Sequence, residues 1–108
     1  MDMVVNRFEV YLVQLDPTIG SEISKVRPCV IVSARELNRA LNTVIVAPLT
    51  STLRNYPTRI HCFVDGKNGQ VALDQIRTID KIRLSRKIAA LDAPTSKKIL
   101  ENLIEMFS

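Results

Sequence analysis

The chain has 108 residues, 46% of them apolar, 24% charged and 5% aromatic, with a formal net charge of +4. That length holds one core, so we expect residues 1–108 to form a single domain. The composition excludes disordered and collagen-like chains, and no apolar run reaches the roughly 20 residues of a membrane-spanning helix. Residues Met1–Asn6 carry an acid and no apolar stretch of signal-peptide length, which points to the cytoplasm.

The charge is uneven. Residues 1–54 hold six basic and five acidic side chains, whereas Arg77, Lys81, Arg83, Arg86 and Lys87 face only Asp80 within one short window. A basic stripe of this kind suits phosphate-bearing partners through counterion release, although a solvated strand or turn would look the same. Cys29 and Cys62 lie inside apolar runs without the spacing of a zinc or redox motif. They read as buried, reduced thiols, and with a single histidine in the chain no metal site or cofactor is expected.

In chain order, Phe8–Leu15 is a strand with Tyr11, Val13 and Leu15 on one face and Val10, Leu12 and Gln14 on the other. Cys29–Val32 and Val44–Leu49 are short, continuous, β-branched runs, the pattern of central strands covered on both faces. Between them, Ser33 and Glu36 have the spacing of a capping box, predicting a short helix over residues 34–40. Arg59–Val64 alternates as a half-buried strand, Gly66 and Gly69 bracket a turn, and further strands begin at Gln70 and Leu84. Over Thr95–Phe107, Ile99, Leu100, Leu103, Ile104 and Phe107 recur at helical spacing. That amphipathic helix either closes the core or joins a dimer interface. Many short strands with few helices predict a mainly β, partly open small barrel.

Three segments carry candidate chemistry. Asp16–Arg27 is long for a hairpin connection, with Pro17 and Gly20 for turns and Ser21, Glu22, Lys25 and Arg27 at its far end. Pro48-Leu49-Thr50-Ser51 ends a strand with two hydroxyls that could form a turn or hold a phosphate oxygen. Asp74-Gln75-Ile76-Arg77-Thr78 brings a carboxylate, an amide and a guanidinium close together, a spacing that reads first as an ion pair. His61 has no partner identifiable from sequence and reads as a solvated strand residue.

The motifs VYLVQLDPTIGSE, KVRPCVIVS, TVIVAPLTS, YPTRI and VALDQIRTIDKIRL, in this order and at these spacings, resemble the MazF/PemK (Kid) family of toxin endoribonucleases from toxin–antitoxin systems. The resemblance implies an SH3-like β-barrel of the CcdB/Kid/MazF kind with a C-terminal amphipathic helix. It further implies a homodimer, an antitoxin partner with an acidic tail, and metal-independent cleavage of single-stranded RNA. Attack by the 2′-hydroxyl would leave a 2′,3′-cyclic phosphate and a 5′-hydroxyl.

Carried over by position, the resemblance implies that Arg27, Thr50 and Glu22 are catalytic and that Asp74 is a base or a support. Ser21, Lys25, Ser51, Gln75 and Arg77 would then contact RNA. A guanidinium is a poor proton donor and a strong bidentate phosphate clamp, so Arg27 is expected to stabilise the transition state. Either Glu22 or Asp74 could accept the proton of the 2′-hydroxyl. The chain departs from the family in two places: Phe8 stands where a glycine commonly starts the first strand, and Ala72 stands where the PemK branch carries an arginine. The competing readings are a non-catalytic toxin on the same fold that inhibits a protein such as DNA gyrase, and an inactive relative that binds only RNA or antitoxin.

Overall fold

The computed structural model describes residues 4–108. Its strands are β1 (Glu9–Gln14), β2 (Val26–Ile31), β3 (Thr43–Thr50), β4 (Arg59–Val64), β5 (Lys67–Ala72), β6 (Arg77–Asp80) and β7 (Leu84–Ala90). Two helices, α1 (Arg35–Ala40) and α2 (Ala93–Met106), complete the fold. The strands pair antiparallel in the order β4-β5-β3-β2-β1-β7, with β6 against β3. The result is a curved half-barrel, in agreement with the partly open barrel expected.

Period-two alternation divides the interior in two. Tyr11, Val13, Leu15, Cys29, Ile31, Val44 and Val46 join Ile79 and Leu84 on one side of the central strands. Val10, Val30, Val32, Ala47 and Leu49 join Cys62, Val71, Leu73 and Ile99 on the other. Both faces of β2 and β3 are thereby covered, which is why their sequences read as continuous apolar runs. Cys29 and Cys62 are free thiols in different halves of this core.

One feature of β3 shapes the functional end of the molecule. Its first half pairs with β6 through Thr43↔Asp80 to Val46↔Arg77, and its end pairs with β5 through Leu49↔Val71 and Thr50↔Gln70. Between these partners the chain makes a 3-10 turn at Leu73–Gln75, where the edge of β3 changes hands. Asp74 and Gln75 are thus delivered to the mouth of the gap.

Several local expectations are corrected. Ser33 and Glu36 form no capping box: the helix begins after Ala34 without a side-chain cap. The Ser33 hydroxyl turns inward, bonding the Asn38 amide oxygen and accepting from Ile45 N at 3.0 Å. The β4–β5 turn is Asp65-Gly66, with φ 52° and 76°, while Gly69 lies inside β5. Asp-Gly suits the left-handed two-residue hairpin turn. Helix α2 starts earlier than expected, with Asp92 capping Thr95 N at 2.8 Å and Pro94 in its first turn. It buries Ser96 and Ile99 and packs Leu103 and Met106, leaving Ile104 and Phe107 exposed. Two adjacent apolar stripes run along this helix, and one helix laid on a sheet buries only one of them. Phe8 adopts φ 72°, a left-handed conformation that glycine takes without steric cost.

Candidate functional site

Register places the candidate residues. The β2–β3 ladder ends at Cys29↔Pro48, and Arg27 and Thr50 lie two residues beyond that pair on their respective strands. Both residues stand where the strands open toward solvent. A cavity of about 490 Å³ lies beside them, lined by Ser21, Glu22, Arg27, Thr50, Asp74 and Gln75, and by Arg54, Tyr56 and Arg59 from the segment before and into β4. Arg27 and Thr50 also line a second cavity of about 360 Å³ that includes Ser51 and Arg86, so they form the ridge between two clefts.

The loop between β1 and β2 is anchored by side chains distant in sequence. Gln75 Oε1 accepts from Ile23 N at 2.6 Å, and Gln75 Nε2 donates to Ser21 O at 3.2 Å. Arg77 Nη1 donates to Leu15 O at 3.0 Å, and Arg83 Nη1 donates to Gln14 O and Asp16 O at 3.1 and 2.8 Å. Within the loop, Glu22 Oε1 accepts from Ile19 N at 2.5 Å, leaving Oε2 without a hydrogen bond among the described residues. Arg27 Nε donates to Ser24 O at 3.1 Å, which orients the exposed guanidinium.

These contacts give several of the expected site residues partners within the fold. Gln75, expected to touch RNA, has both ends of its amide on the loop backbone. Arg77 lines a recess behind the loop, and the partner of Asp74 is not Arg77 but Arg59. Lys25 is exposed with φ 69° and lies outside the lining of the clefts. His61 is exposed on β4, with its Nε2 3.1 Å from Asn68 Oδ1.

The basic window Arg77–Lys87 is mostly internal scaffolding. Besides Arg77 and Arg83, Lys81 donates to Asn38 O, and Lys87 pairs with Glu9 at 2.8 Å. Burial raises the pKa of Glu9, but the hydrogen bonds from Lys87 and Asn6 outweigh it and leave the carboxyl below its ordinary value. Only Arg86 of that window is without a hydrogen bond or ion pair among the described residues. The positive charge at the main cleft comes instead from Arg27 and Arg54, distant in sequence, while Arg59 also lines it but is paired with Asp74. Arg54 and Arg59 are not among the residues that the motifs single out for the site. The signal available was the tract Arg54-Asn55-Tyr56-Pro57-Thr58-Arg59, polar and directly after a strand-ending hydroxyl pair.

Asp74 is held on two sides. Arg59 Nε and Nη2 donate to its Oδ1 and Oδ2 at 2.8 and 3.2 Å, and Thr58 Oγ1 donates to Oδ1 at 2.9 Å. The Arg59 hydrogen bond holds the carboxyl below the usual carboxylate value, with burial opposing and Thr58 assisting. Each partner stabilises the other's charge, so Arg59 is raised in turn.

The family model for the PemK-like, MazF-like toxin of type II toxin–antitoxin systems matches residues 6–107. The chain belongs to this family. Endoribonuclease EndoA of Bacillus subtilis is 37% identical over 107 residues, which span 94% of this chain and 92% of that protein. The toxin is accordingly an endoribonuclease of a toxin–antitoxin system. Among solved structures, MazF from Deinococcus radiodurans superposes with a TM-score of 0.86 at 22% identity, covering 98% of each chain. A mycobacterial endoribonuclease in complex with its cognate antitoxin matches with a TM-score of 0.81 at 27% identity, over 95% of the toxin and 94% of that chain. No helix among the described residues is long and apolar enough to cross a membrane.

Proposed function

We propose that the toxin cleaves single-stranded RNA, mRNA included, at the Arg27–Thr50 ridge, by attack of a ribose 2′-oxygen on the adjacent phosphorus. The P–O5′ bond breaks, giving a 2′,3′-cyclic phosphate and a 5′-hydroxyl. The observation that carries the reading is that a guanidinium, a hydroxyl and a carboxylate from three separate segments line one polar cleft.

Each group suits one task. Arg27 clamps non-bridging phosphate oxygens with a planar fork and opposes the charge that grows on them, and Thr50 donates a hydrogen bond to the same group. Glu22 takes the 2′-hydroxyl proton, and the departing 5′-oxygen takes a proton from solvent water, to which Glu22 returns its own. Glu22 is preferred over Asp74 because its Oε2 is uncommitted, whereas both oxygens of Asp74 are engaged by Arg59 and Thr58. The positive charges that the reaction needs come from side chains, so the step proceeds without a metal ion. Ser21 and Ser51 at the cleft edges, with Lys25 at the end of the β1–β2 loop, hold flanking phosphates. Residues 1–108 act as one toxin domain and pair as a homodimer in the cytoplasm. An antitoxin with an acidic segment covers the Arg27–Arg54 rim.

The test is incubation of the purified toxin with a long single-stranded RNA in EDTA, followed by mapping of the fragment ends. Discrete cuts bearing cyclic phosphate and 5′-hydroxyl ends are expected. Arg27→Ala and Glu22→Gln, both folded, are expected to slow cleavage by about 10²- to 10³-fold, the usual cost of losing one such group. Cuts that vanish in EDTA, or 5′-phosphate ends, would sink the mechanism.

A further inference from the structure

The segment joining β3 to β4 has no regular structure, yet it is fixed from three directions. Arg54 N donates to Gln70 Oε1 at 3.0 Å, and Gln70 Nε2 returns a bond to Arg54 O at 3.1 Å. Asn102 Nδ2 of α2 donates to Pro57 O at 2.9 Å, and Arg59 N donates to Tyr56 O at 3.1 Å. These bonds bracket Tyr56, which lines the main cleft and is 50% exposed. An aromatic ring left half open in a polar cleft, on a backbone that is held in place, is a surface prepared for a flat partner.

The ring also has a backing. The Arg59 guanidinium carbon lies 5.1 Å from the Tyr56 ring centroid, within range of a cation–π contact. Its side chain is only 6% exposed and its orientation is set by the two-point pair with Asp74. The register explains the reach: Arg59 stands opposite Ala72, and the small side chain leaves the guanidinium free to pass toward Asp74 two residues on. Arg59 is thus too buried to take a base itself, and its charge polarises the ring that remains accessible.

We propose that Tyr56, backed by the Arg59–Asp74 pair, is a stacking platform for one nucleobase beside the scissile phosphate, and that it contributes to which sites are cut. This rests on the nuclease reading above. Single-stranded RNA offers splayed bases with flat faces on both sides of every phosphate, and aromatic side chains beside guanidinium groups are the usual means of holding them. Tyr56 shares one cleft with Arg27 and Thr50, so a base on the ring and a phosphate on the ridge belong to the same strand. Arg59 and Asp74 act through Tyr56 and are positioning residues. Asp74 therefore takes no part in proton transfer.

The experiment begins with a short RNA containing one mapped cut site. Variants of that RNA carry a single abasic residue at each position flanking the cut. With the wild-type toxin, removal of one particular base is expected to lower kcat/KM by about tenfold, the scale of one stacking contact. With Tyr56→Ala that penalty disappears at the same position and nowhere else, while Tyr56→Phe behaves as wild type. Equal penalties at every position in wild type and Tyr56→Ala overturn the platform. Asp74→Asn is expected to raise KM with little change in kcat and with the acid limb of the pH–rate profile retained. A collapse of kcat with loss of that limb assigns Asp74 to proton transfer and overturns its positioning role. Failure of the wild-type toxin to cut any RNA overturns the nuclease reading itself, an outcome distinct from cutting with unaltered penalties.

Discussion

Gly69 lies against the end of β3 so closely that a β-carbon there would stand 2.9 Å from the carbonyl oxygen of Thr50. The contact is with backbone, which cannot rotate away as a side chain can. The strand that carries Thr50 is thus held at its working position by the absence of a side chain on its neighbour β5.

Gly69→Ala is expected to push Thr50 from its place on the ridge. Overpacking of this kind costs about 1–3 kcal/mol in stability. A displacement near the reacting groups costs up to about 100-fold in kcat. Melting temperature and single-turnover cleavage of one RNA check both arms. Wild-type values for both would show that β5 moves aside freely.

Gln75→Ala removes both bonds that hold the Ser21–Ile23 stretch of the loop. One half-buried and one exposed hydrogen bond are worth about 1–2 kcal/mol together. The Ile23 amide, which donates to Gln75, is expected to exchange with deuterium faster, and cleavage to slow as Glu22 loses its mooring. Unchanged exchange at Ile23 would count against the anchor.

The Asp74–Arg59 pair makes stability depend on pH with a definite sign. The folded-state carboxyl lies below its ordinary value because Arg59 favours the charged form. The contribution is therefore present above the unfolded value, near pH 4, and is lost as pH falls through the folded one. Asp74 is partly exposed, so the pair is worth no more than about 1 kcal/mol. Denaturant melts of wild type and Asp74→Asn are expected to differ at pH 7 and to converge as the pH falls through the folded-state value.

The two thiols are expected to be inert in the native protein. Burial pushes Cys29 up to about 12, with Arg77 opposing, and pushes Cys62 up to about 11. Only the thiolate reacts, and almost none is present at neutral pH. Iodoacetamide should label neither residue until denaturant is added. Rapid native labelling of either would contradict its burial.

The sequence by itself determined every strand but β6, and the inward faces. Tyr11, Val13 and Leu15 alternate with Val10 because a pleated strand alternates, and the β-branched runs of β2 and β3 have no other stable setting than a covered sheet. Motif order was also enough to indicate the family, and it brought Glu22, Arg27 and Thr50 into consideration. The short strand β6 has no sequence signature, because Arg77-Thr78-Ile79-Asp80 buries one residue only, Ile79, and so lacks a repeating pattern. The capping box at Ser33 had the right spacing but lost its hydroxyl to Asn38, a buried partner that must be satisfied.

What only the tertiary structure decided was the use of charge. Arg77 and Arg83 find their acceptors 62 to 69 positions away, on the root of a loop that the sheet brings beside them. A carbonyl at that distance in sequence leaves no local signature, so a run of cations that reads as a ligand surface becomes internal bracing. Conversely, Arg27, Arg54 and Arg59 are scattered along the chain and meet at one cleft. Register sets that meeting, because antiparallel pairing puts residues far apart in sequence at the same end of the sheet.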